Sequence, residues 1–360
     1  MKTIVMELKD LGFNEILEKY RIEQKLDSFG VGRIIAEHKE RYIVRTTETE
    51  CDAEITGNMR FTAKSREDFP AVGDWVALTI YNDLAIIHTI FPRYSVLKRI
   101  AAGNSGEIQV IAANIDYAFL VQAVDRDFNV NRIERYLTIC YSAGVNPVIV
   151  LGKTDLISGQ KSSEIADAVK TRIRNVPVIA ISNKTKSGYE ELYKHIQKGK
   201  TYCLLGSSGV GKSSLLNNLC GKSLMETGAV SQSTGKGRHV TSHRELIILP
   251  NGGLLIDNPG MREVGIADTT GGLETAFDRI TELSQYCRFR DCTHTGEDGC
   301  SVLKAVEEGE IDRMAYENYL KMEKERAHYE STIAEKRQKD KVFGRMMKDY
   351  HKRNIKNRNY

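Results

Sequence analysis

No apolar run in this 360-residue chain approaches the roughly 20 residues that a bilayer-crossing helix needs. The longest candidates, such as Ala118–Val124, have the length of buried strands, so a helical membrane protein is excluded. The N-terminus, MKTIVMELKDLGFNEILEKY, mixes acidic and apolar residues at helical spacing and has no uninterrupted apolar core of the kind that marks a secretion signal. Proline is scarce, with six residues beside 29 glycines, which rules out collagen-like or broadly disordered composition. Neither charge sign dominates, at 52 Lys and Arg against 48 Asp and Glu. Cysteine is sparse and odd in number, at seven. That count argues against a disulfide framework and for a reducing compartment, so a soluble, cytoplasmic protein without a membrane partner is expected.

What is present is ordinary globular composition, 41% hydrophobic and 28% charged, sufficient for two or three domains. The near-neutral total hides an asymmetry. Residues 335–360 hold ten Lys/Arg against Glu335, Asp340 and Asp349, a net of +7, so the preceding 334 residues carry −3.

The chain divides by rhythm. Residues 1–29 read as an N-terminal helical extension. Over 30–95, short β-runs (Gly32–Ala36, Arg41–Thr46, Asp52–Ile55, Val72–Ile80, Leu84–Ile90) predict a small barrel resembling the oligonucleotide-binding type, which binds RNA in some proteins and protein or nothing in others. Over 96–280, strands alternate with helices, the pattern of a doubly wound α/β sheet. Ile108–Ala112, Ala118–Val124, Pro147–Leu151, Val176–Ile181 and Tyr202–Leu205 read as strands, with Glu245–Leu249 and Gly253–Ile256 paired. Residues 281–360 read as a Cys/His knuckle followed by a long, increasingly basic helix from Ile311, after a helix over Leu273–Tyr286.

Gly206-Ser207-Ser208-Gly209-Val210-Gly211-Lys212-Ser213 matches G-x-x-x-x-G-K-[ST] between a predicted strand and a predicted helix. The glycines let successive backbone N–H groups turn inward on phosphate oxygens, and the helix N-terminus adds its partial positive charge. Lys212 bridges the β- and γ-phosphates in such a loop, the Ser213 hydroxyl ligates Mg²⁺, and Ser214 completes the phosphate-binding set.

Base choice comes from two loops. Gly152-Lys153-Thr154-Asp155 follows a strand and resembles the [NT]-K-x-D element of GTPases. A carboxylate edge-on to guanine accepts from N1–H and N2–H₂, a donor pair that adenine lacks, so Asp155 favours GTP. The Lys153 stem can cover the ring face with its ammonium solvated. Ser182-Asn183-Lys184 resembles the S-A-K element, which offers backbone N–H to the guanine O6. Gly152 stands where Asn or Thr is usual, removing a side-chain contact to the N7 edge.

Asp257-Asn258-Pro259-Gly260 follows a strand and resembles D-x-x-G, where the Asp holds a Mg²⁺-bound water and the Gly260 N–H senses the γ-phosphate. The glycine-rich stretch 235–242 takes the place of the first switch. Thr241 is the candidate that closes onto Mg²⁺ and the γ-phosphate, with Ser242 as the other choice. Position 261, a glutamine in Ras-like GTPases, is Met261 and cannot orient water. His239 is the nearest substitute by chemistry, or else a loop histidine meeting partner or solvent.

Cys287-x₄-Cys292-x-His294-x₅-Cys300 supplies three thiolates and an imidazole, a set that suits one structural, tetrahedral Zn²⁺ with no position open for substrate. The basic C-terminal residues and Arg288 and Arg290 would neutralise phosphates, giving salt-sensitive RNA affinity.

The motif order is unusual: K-T-D and S-N-K precede the phosphate loop, which precedes D-N-P-G, so the core reads as circularly permuted. Barrel, permuted core with G-S-S-G-V-G-K-S, D-N-P-G-M-R-E (257–263) and Cys/His cluster together resemble the ribosome small subunit-dependent GTPases, the RsgA/YjeQ family. The resemblance covers roughly residues 30–345, and Gly152 and Val240 depart from it. It implies a bacterial cytoplasmic GTPase using GTP/GDP, Mg²⁺ and one zinc. It further implies binding to the 30S subunit and 16S rRNA late in subunit maturation, and stimulation by that subunit. A monomer is expected. A GTPase for another RNA or protein target, or an RNA-binding scaffold in which nucleotide is a folding ligand, stand as alternatives.

Overall fold

The structure, a computed structural model, describes residues 6–38, 41–82, 84–100, 108–125, 128–221, 245–257 and 271–330. A short 3₁₀ turn (Leu8–Leu11) leads into helix α1 (Glu15–Glu23), whose first turn is capped by Asn14 Oδ1 accepting from the Leu17 N–H. Five strands follow: β1 (Gly30–His38), β2 (Arg41–Arg45), β3 (Glu50–Ile55), β4 (Trp75–Tyr81) and β5 (Leu84–Ile90), with helix α2 (Gly57–Thr62) after β3. Their order is β1-β2-β3-β5-β4, and β4 pairs back onto β1, closing a barrel. Alternating burial along β2 and β3 puts Tyr42, Val44, Ala53 and Ile55 inside with Ile34, Val76, Leu78 and Ile87. Space is tight there. A Cβ on Gly32 would stand 2.3 Å from Val44 Cγ1.

Next comes a hairpin of β6 (Val96–Ile100) and β7 (Ile108–Ala113) that forms its own two-stranded sheet. The run at 108–112 is thus a strand, as expected, but not a member of the doubly wound sheet. Its backbone is committed elsewhere: to β6, and to the barrel through the Ala113 N–H donating to the Val72 carbonyl at 3.0 Å.

The central sheet is built from β8 (Tyr117–Ala123), α3 (Val130–Ser142), β9 (Asn146–Gly152), α4 (Gly159–Arg172), β10 (Val178–Ala180), α5 (Tyr189–Lys194), β11 (Thr201–Leu205), α6 (Lys212–Cys220), β12 (Glu245–Ile248) and β13 (Leu254–Asp257). Strand order is β10-β9-β8-β11-β13-β12, parallel up to β13, with β12 antiparallel at the end. One face is covered by α3 and α4 through Ile133, Leu137 and Val169, the other by α5 and α6 through Leu192, Leu215, Leu216 and Leu219. This is the doubly wound core. It continues into the barrel, because β12 also meets β1 at Ala36 and Glu245.

At the junction Arg33 of β1 is fully buried. It donates to three main-chain carbonyls, of Leu11 (2.5 Å), Gly73 (3.2 Å) and Asn114 (3.0 Å), which belong to the N-terminal turn, the barrel and the core. The N-terminal segment is accordingly packed, with Leu11 and Leu17 buried beside Trp75, Phe91 and Leu254. Arg33→Met would take the guanidinium from all three carbonyls; Gly73 would keep Asn114 Nδ2 (3.1 Å) and Asn114 the Tyr94 hydroxyl (2.8 Å), while Leu11 would lose this donor, so an unfolding free energy lower by about 2 kcal/mol is expected, read as a shifted urea midpoint at constant slope.

After the core, α7 (Gly272–Ala276), α8 (Asp278–Ser284), α9 (Ser301–Glu307) and a helix over 313–330 form a small cluster around Leu273, Phe277, Ile280, Val302 and Met322. The single helix expected over Leu273–Tyr286 is broken at Phe277 (φ −118°, ψ 48°), whose ring turns inward to meet Tyr319 edge-on at 5.5 Å. The cluster is clamped to α3. Gly272 lies so close that a Cβ would fall 1.9 Å from Ser142 Oγ. Asn318 donates to buried Glu134 (2.6 Å), and Arg135 pairs with Glu325 at 2.7 Å.

Candidate functional site: a phosphate loop beside a purine-facing loop

β11 ends where the sheet's parallel strands present their C-terminal ends, and the chain turns there through residues 206–211 into α6. Gly206, Gly209 and Gly211 all have positive φ (152°, 80° and 104°). A Cβ on Gly206 would meet the Val121 carbonyl at 2.3 Å, so the turn admits only glycine there. Lys212 Nζ reaches back over the loop, donating to the carbonyls of Gly206 (2.7 Å) and Ser207 (2.6 Å). A cation is thus held over a ring of backbone amides at a helix start, a geometry fitted to polyphosphate.

Asp257, last residue of β13, lies beside β11 through the Cys203–Ile256 register. Burial pushes its carboxyl up to about 6, against the pull of the Lys212 ammonium and with the push of Glu245. The Ser213 hydroxyl and this carboxylate are hard oxygen donors of the kind Mg²⁺ takes.

The loops carrying Asp155 and Ser182–Lys184 come to the same place. Asp155 Oδ1 accepts from Ser182 Oγ at 2.6 Å, while that oxygen accepts from the Lys184 (3.2 Å) and Thr185 (3.1 Å) N–H groups, which fixes the carboxylate against the 182–185 turn. Asn183 then donates to the Gly211 carbonyl at 2.9 Å, tying the turn to the phosphate loop. Residues 155, 182, 183, 211 and 212 thus form one continuous patch, although 28 residues separate Asn183 from Gly211. Lys153 departs from expectation, since its ammonium is paired with Asp125 at 2.9 Å rather than solvated.

Sequence reasoning missed the supports. Asp125 orients Lys153. Tyr189 donates to Asn183 Oδ1 (2.8 Å), and Asn218 donates to both the Asn183 carbonyl (3.0 Å) and the Tyr189 hydroxyl (2.7 Å). Tyr136 lines one cleft together with Ser207 of the phosphate loop. None lies in a motif, and only the fold brings them near. His239, Thr241 and Gly260, with Ser242 and Met261, lie outside the described residues.

At Gly152 φ is not positive and a Cβ would find only ordinary contacts, the nearest being the Val210 carbonyl at 3.5 Å. An asparagine fits. Gly152→Asn is therefore expected to tighten GTP binding about fivefold by adding one hydrogen bond at the purine edge, measured by titration with a fluorescent GTP analogue.

The Cys/His cluster is also assembled. Ligand atoms of Cys287, Cys292, His294 and Cys300 all lie within 4.8 Å of one another. Cys287 and Cys300 Sγ are 3.9 Å apart, and His294 Nδ1 is 3.6 Å and 3.4 Å from them. Tetrahedral zinc with its usual bond lengths would separate S from S by about 3.8 Å and S from N by about 3.5 Å, so the cluster is compatible with zinc. Glu297 braces the loop by accepting from the backbone N–H of Thr293 (2.7 Å), Thr295 (2.9 Å) and Gly296 (3.1 Å).

A doubly wound sheet carrying this loop, with the purine-facing segments placed before it in the chain and the Asp257 strand after it, defines a P-loop GTPase of circularly permuted order. The sequence matches the RsgA GTPase family over residues 90–267. It also matches the ABC transporter family over 189–349, a span that takes in the phosphate loop. The chain is 39% identical to small ribosomal subunit biogenesis GTPase RsgA 1 of Bacteroides thetaiotaomicron, over 95% of this chain and 96% of that one. It is 43% identical to the RsgA 2 protein of Lactiplantibacillus plantarum, over 83% and 84%. The crystal structure of YjeQ from Thermotoga maritima superposes with a TM-score of 0.62 at 27% identity, over 81% of this chain and 96% of that one. That of YloQ, described as a circularly permuted GTPase, gives 0.60 at 28%, over 83% and 96%. The chain belongs to the RsgA GTPase family. No helix among the described residues is long and apolar enough to cross a membrane.

Proposed function

We propose that this protein is a cytoplasmic, monomeric GTPase of small ribosomal subunit biogenesis that binds the 30S particle through 16S rRNA and hydrolyses GTP when seated there. The observation that carries the reading is the hydrogen bond from Asn183 to the Gly211 carbonyl, which joins the 182–185 turn directly to the phosphate loop and supports its role in reading the purine. The ribosomal target rests on the printed names of relatives similar over nearly their whole length.

In this reading the backbone amides of residues 206–213 and the Lys212 ammonium bind the phosphates and neutralise charge that builds on them during transfer. Asp155 accepts from the guanine N1–H and N2–H₂, with Ser182 holding it in plane. Gly152 and Thr154 flank it, the Lys153 stem covers the ring, and the backbone of 182–184 meets O6. Ser213 and Thr241 would hold Mg²⁺, which would supply charge neutralisation at the phosphates, and Ser214 supports the set from α6. Asp257 would help hold that ion, Gly260 would sense the γ-phosphate, and His239 would orient the attacking water. Cys287, Cys292, His294 and Cys300 hold one zinc, which fixes the C-terminal cluster and takes no part in chemistry.

A carboxyl titrating near 6 must ionise to serve Mg²⁺. Below that pH the proton competes with the ion, so the Mg²⁺ concentration giving half-maximal turnover should rise about tenfold per pH unit, and level off above it.

The deciding test measures GTP and ATP hydrolysis side by side, with and without purified small subunits. GTP turnover should rise by orders of magnitude with subunits, and ATP turnover should not. Equal GTP rates in both conditions would overturn the reading. Nucleotide binding without turnover under any partner would instead identify an RNA-binding scaffold.

A further inference from the structure

The helix over 313–330 does not seal against the core along its whole length. Between it and the start of α3 lies a cleft of about 560 Å³. Arg132, Arg135, Tyr136 and Ser207 line it from the core, and Glu317, Asn318 and Lys321 from the helix. The walls are fixed in place by the Asn318–Glu134 and Arg135–Glu325 contacts already described. Arg135 is neutralised by Glu325. Arg132 and Lys321 form no ion pair among the described residues, and Glu317, which shares the cleft, is engaged by Arg313 at 3.2 Å. Cations on two walls of one cleft favour an anion between them.

Three features specify the anion. The volume suits a nucleotide-sized group better than a lone inorganic ion. Cations supplied from opposite walls suit a phosphate, which can accept from both at once. The sequence that follows this helix carries +7 over residues 335–360, which favours a polyanion over an isolated anion. The cleft also touches the GTPase machinery, since Ser207 of the phosphate loop lines it together with Tyr136.

We propose that this cleft takes a phosphodiester unit of a single-stranded RNA segment and that Tyr136, as a positioning residue, relays its seating to the phosphate loop. The inference rests on the ribosomal reading above. Bound RNA would be gripped between the core and the C-terminal cluster, so its arrival would shift Tyr136 and Ser207 and with them the loop that holds the nucleotide.

The test uses the full chain and three variants, Arg132→Gln, Lys321→Gln and Tyr136→Phe, with Lys194→Gln on α5 as a surface control. Binding to a fluorescent single-stranded RNA 12-mer is titrated against salt, and subunit-stimulated GTP hydrolysis is titrated against subunit concentration. Arg132→Gln and Lys321→Gln should each weaken RNA binding about tenfold, lower the salt slope by about 0.7, and raise the half-saturating subunit concentration, while Lys194→Gln changes none of these. Tyr136→Phe should leave half-saturation unchanged and lower the maximal stimulated rate severalfold. If the wild type responds to subunits and Arg132→Gln and Lys321→Gln match it, the cleft assignment alone falls. Displacement of the RNA by equimolar UMP or polyglutamate would overturn it in favour of a small anion or an acidic peptide. A wild type that neither binds subunits nor is stimulated by them defeats the ribosomal reading itself.

Discussion

Lys212→Ala should lower GTP turnover by about a thousandfold at saturating nucleotide. The side chain is committed to the loop it serves, its ammonium 2.6–2.7 Å from two loop carbonyls and electrostatically coupled to Asp257. Alanine removes the cation from a partly enclosed site where water replaces it poorly. Charge developing on the transferred phosphoryl group would then be met only by backbone dipoles and the Mg²⁺ of the proposed reading. The fold should survive, because the turn is set by its glycines and by Val210 packed beneath it. Phosphate release with subunits present, with melting temperature as the control, decides the matter. Activity within tenfold of wild type would show that the phosphates sit elsewhere.

The second large effect concerns the Cys/His cluster. Purified protein should carry one zinc per chain, and Cys292→Ser should lose it. The cluster sits on the same small core as Phe277, Val302 and Met322, and Cys300 Sγ also caps α9 by accepting the Leu303 N–H at 3.4 Å. Structural zinc is worth on the order of 10 kcal/mol in small domains, and loss of even about 4 kcal/mol would speed amide exchange a thousandfold. Exchange should rise across 287–322 and stay unchanged in β8, β9 and β11. Metal content below one-tenth per chain in the wild type, with exchange unaltered by the substitution, would dismiss the zinc.

What could be read from the sequence was whatever is encoded within a few neighbouring residues. The phosphate loop, K-T-D, S-N-K and the Cys/His spacing are each local; the fold brings the first three into one patch and gathers the four Cys/His ligand atoms. The alternating strands of the barrel were legible for the same reason. Local patterns failed where long-range packing decides. Ile108–Ala113 reads as a core strand, yet its hydrogen bonds go to β6 and to the barrel. Val96–Ile100 carries Lys98 and Arg99 and gives no strand signal, its backbone pairing being supplied by β7, outside its local pattern. A periodicity running through Phe277 conceals a break imposed by the Tyr319 ring. Asp125, Tyr136 and Asn218 support the site from positions with no motif, and nothing short of the fold reveals them.

Arg33 has a consequence for how the chain is made. Its guanidinium is satisfied by residues 11, 73 and 114, and the last of these leaves the ribosome well after the five barrel strands have been synthesised. Until then the nascent barrel would have to bury a charge with an unfilled donor. A polypeptide ending at residue 95 should therefore be insoluble or only partly ordered, and the barrel is better regarded as an appendage that matures together with the nucleotide-binding core than as a module that can be cut out and transplanted.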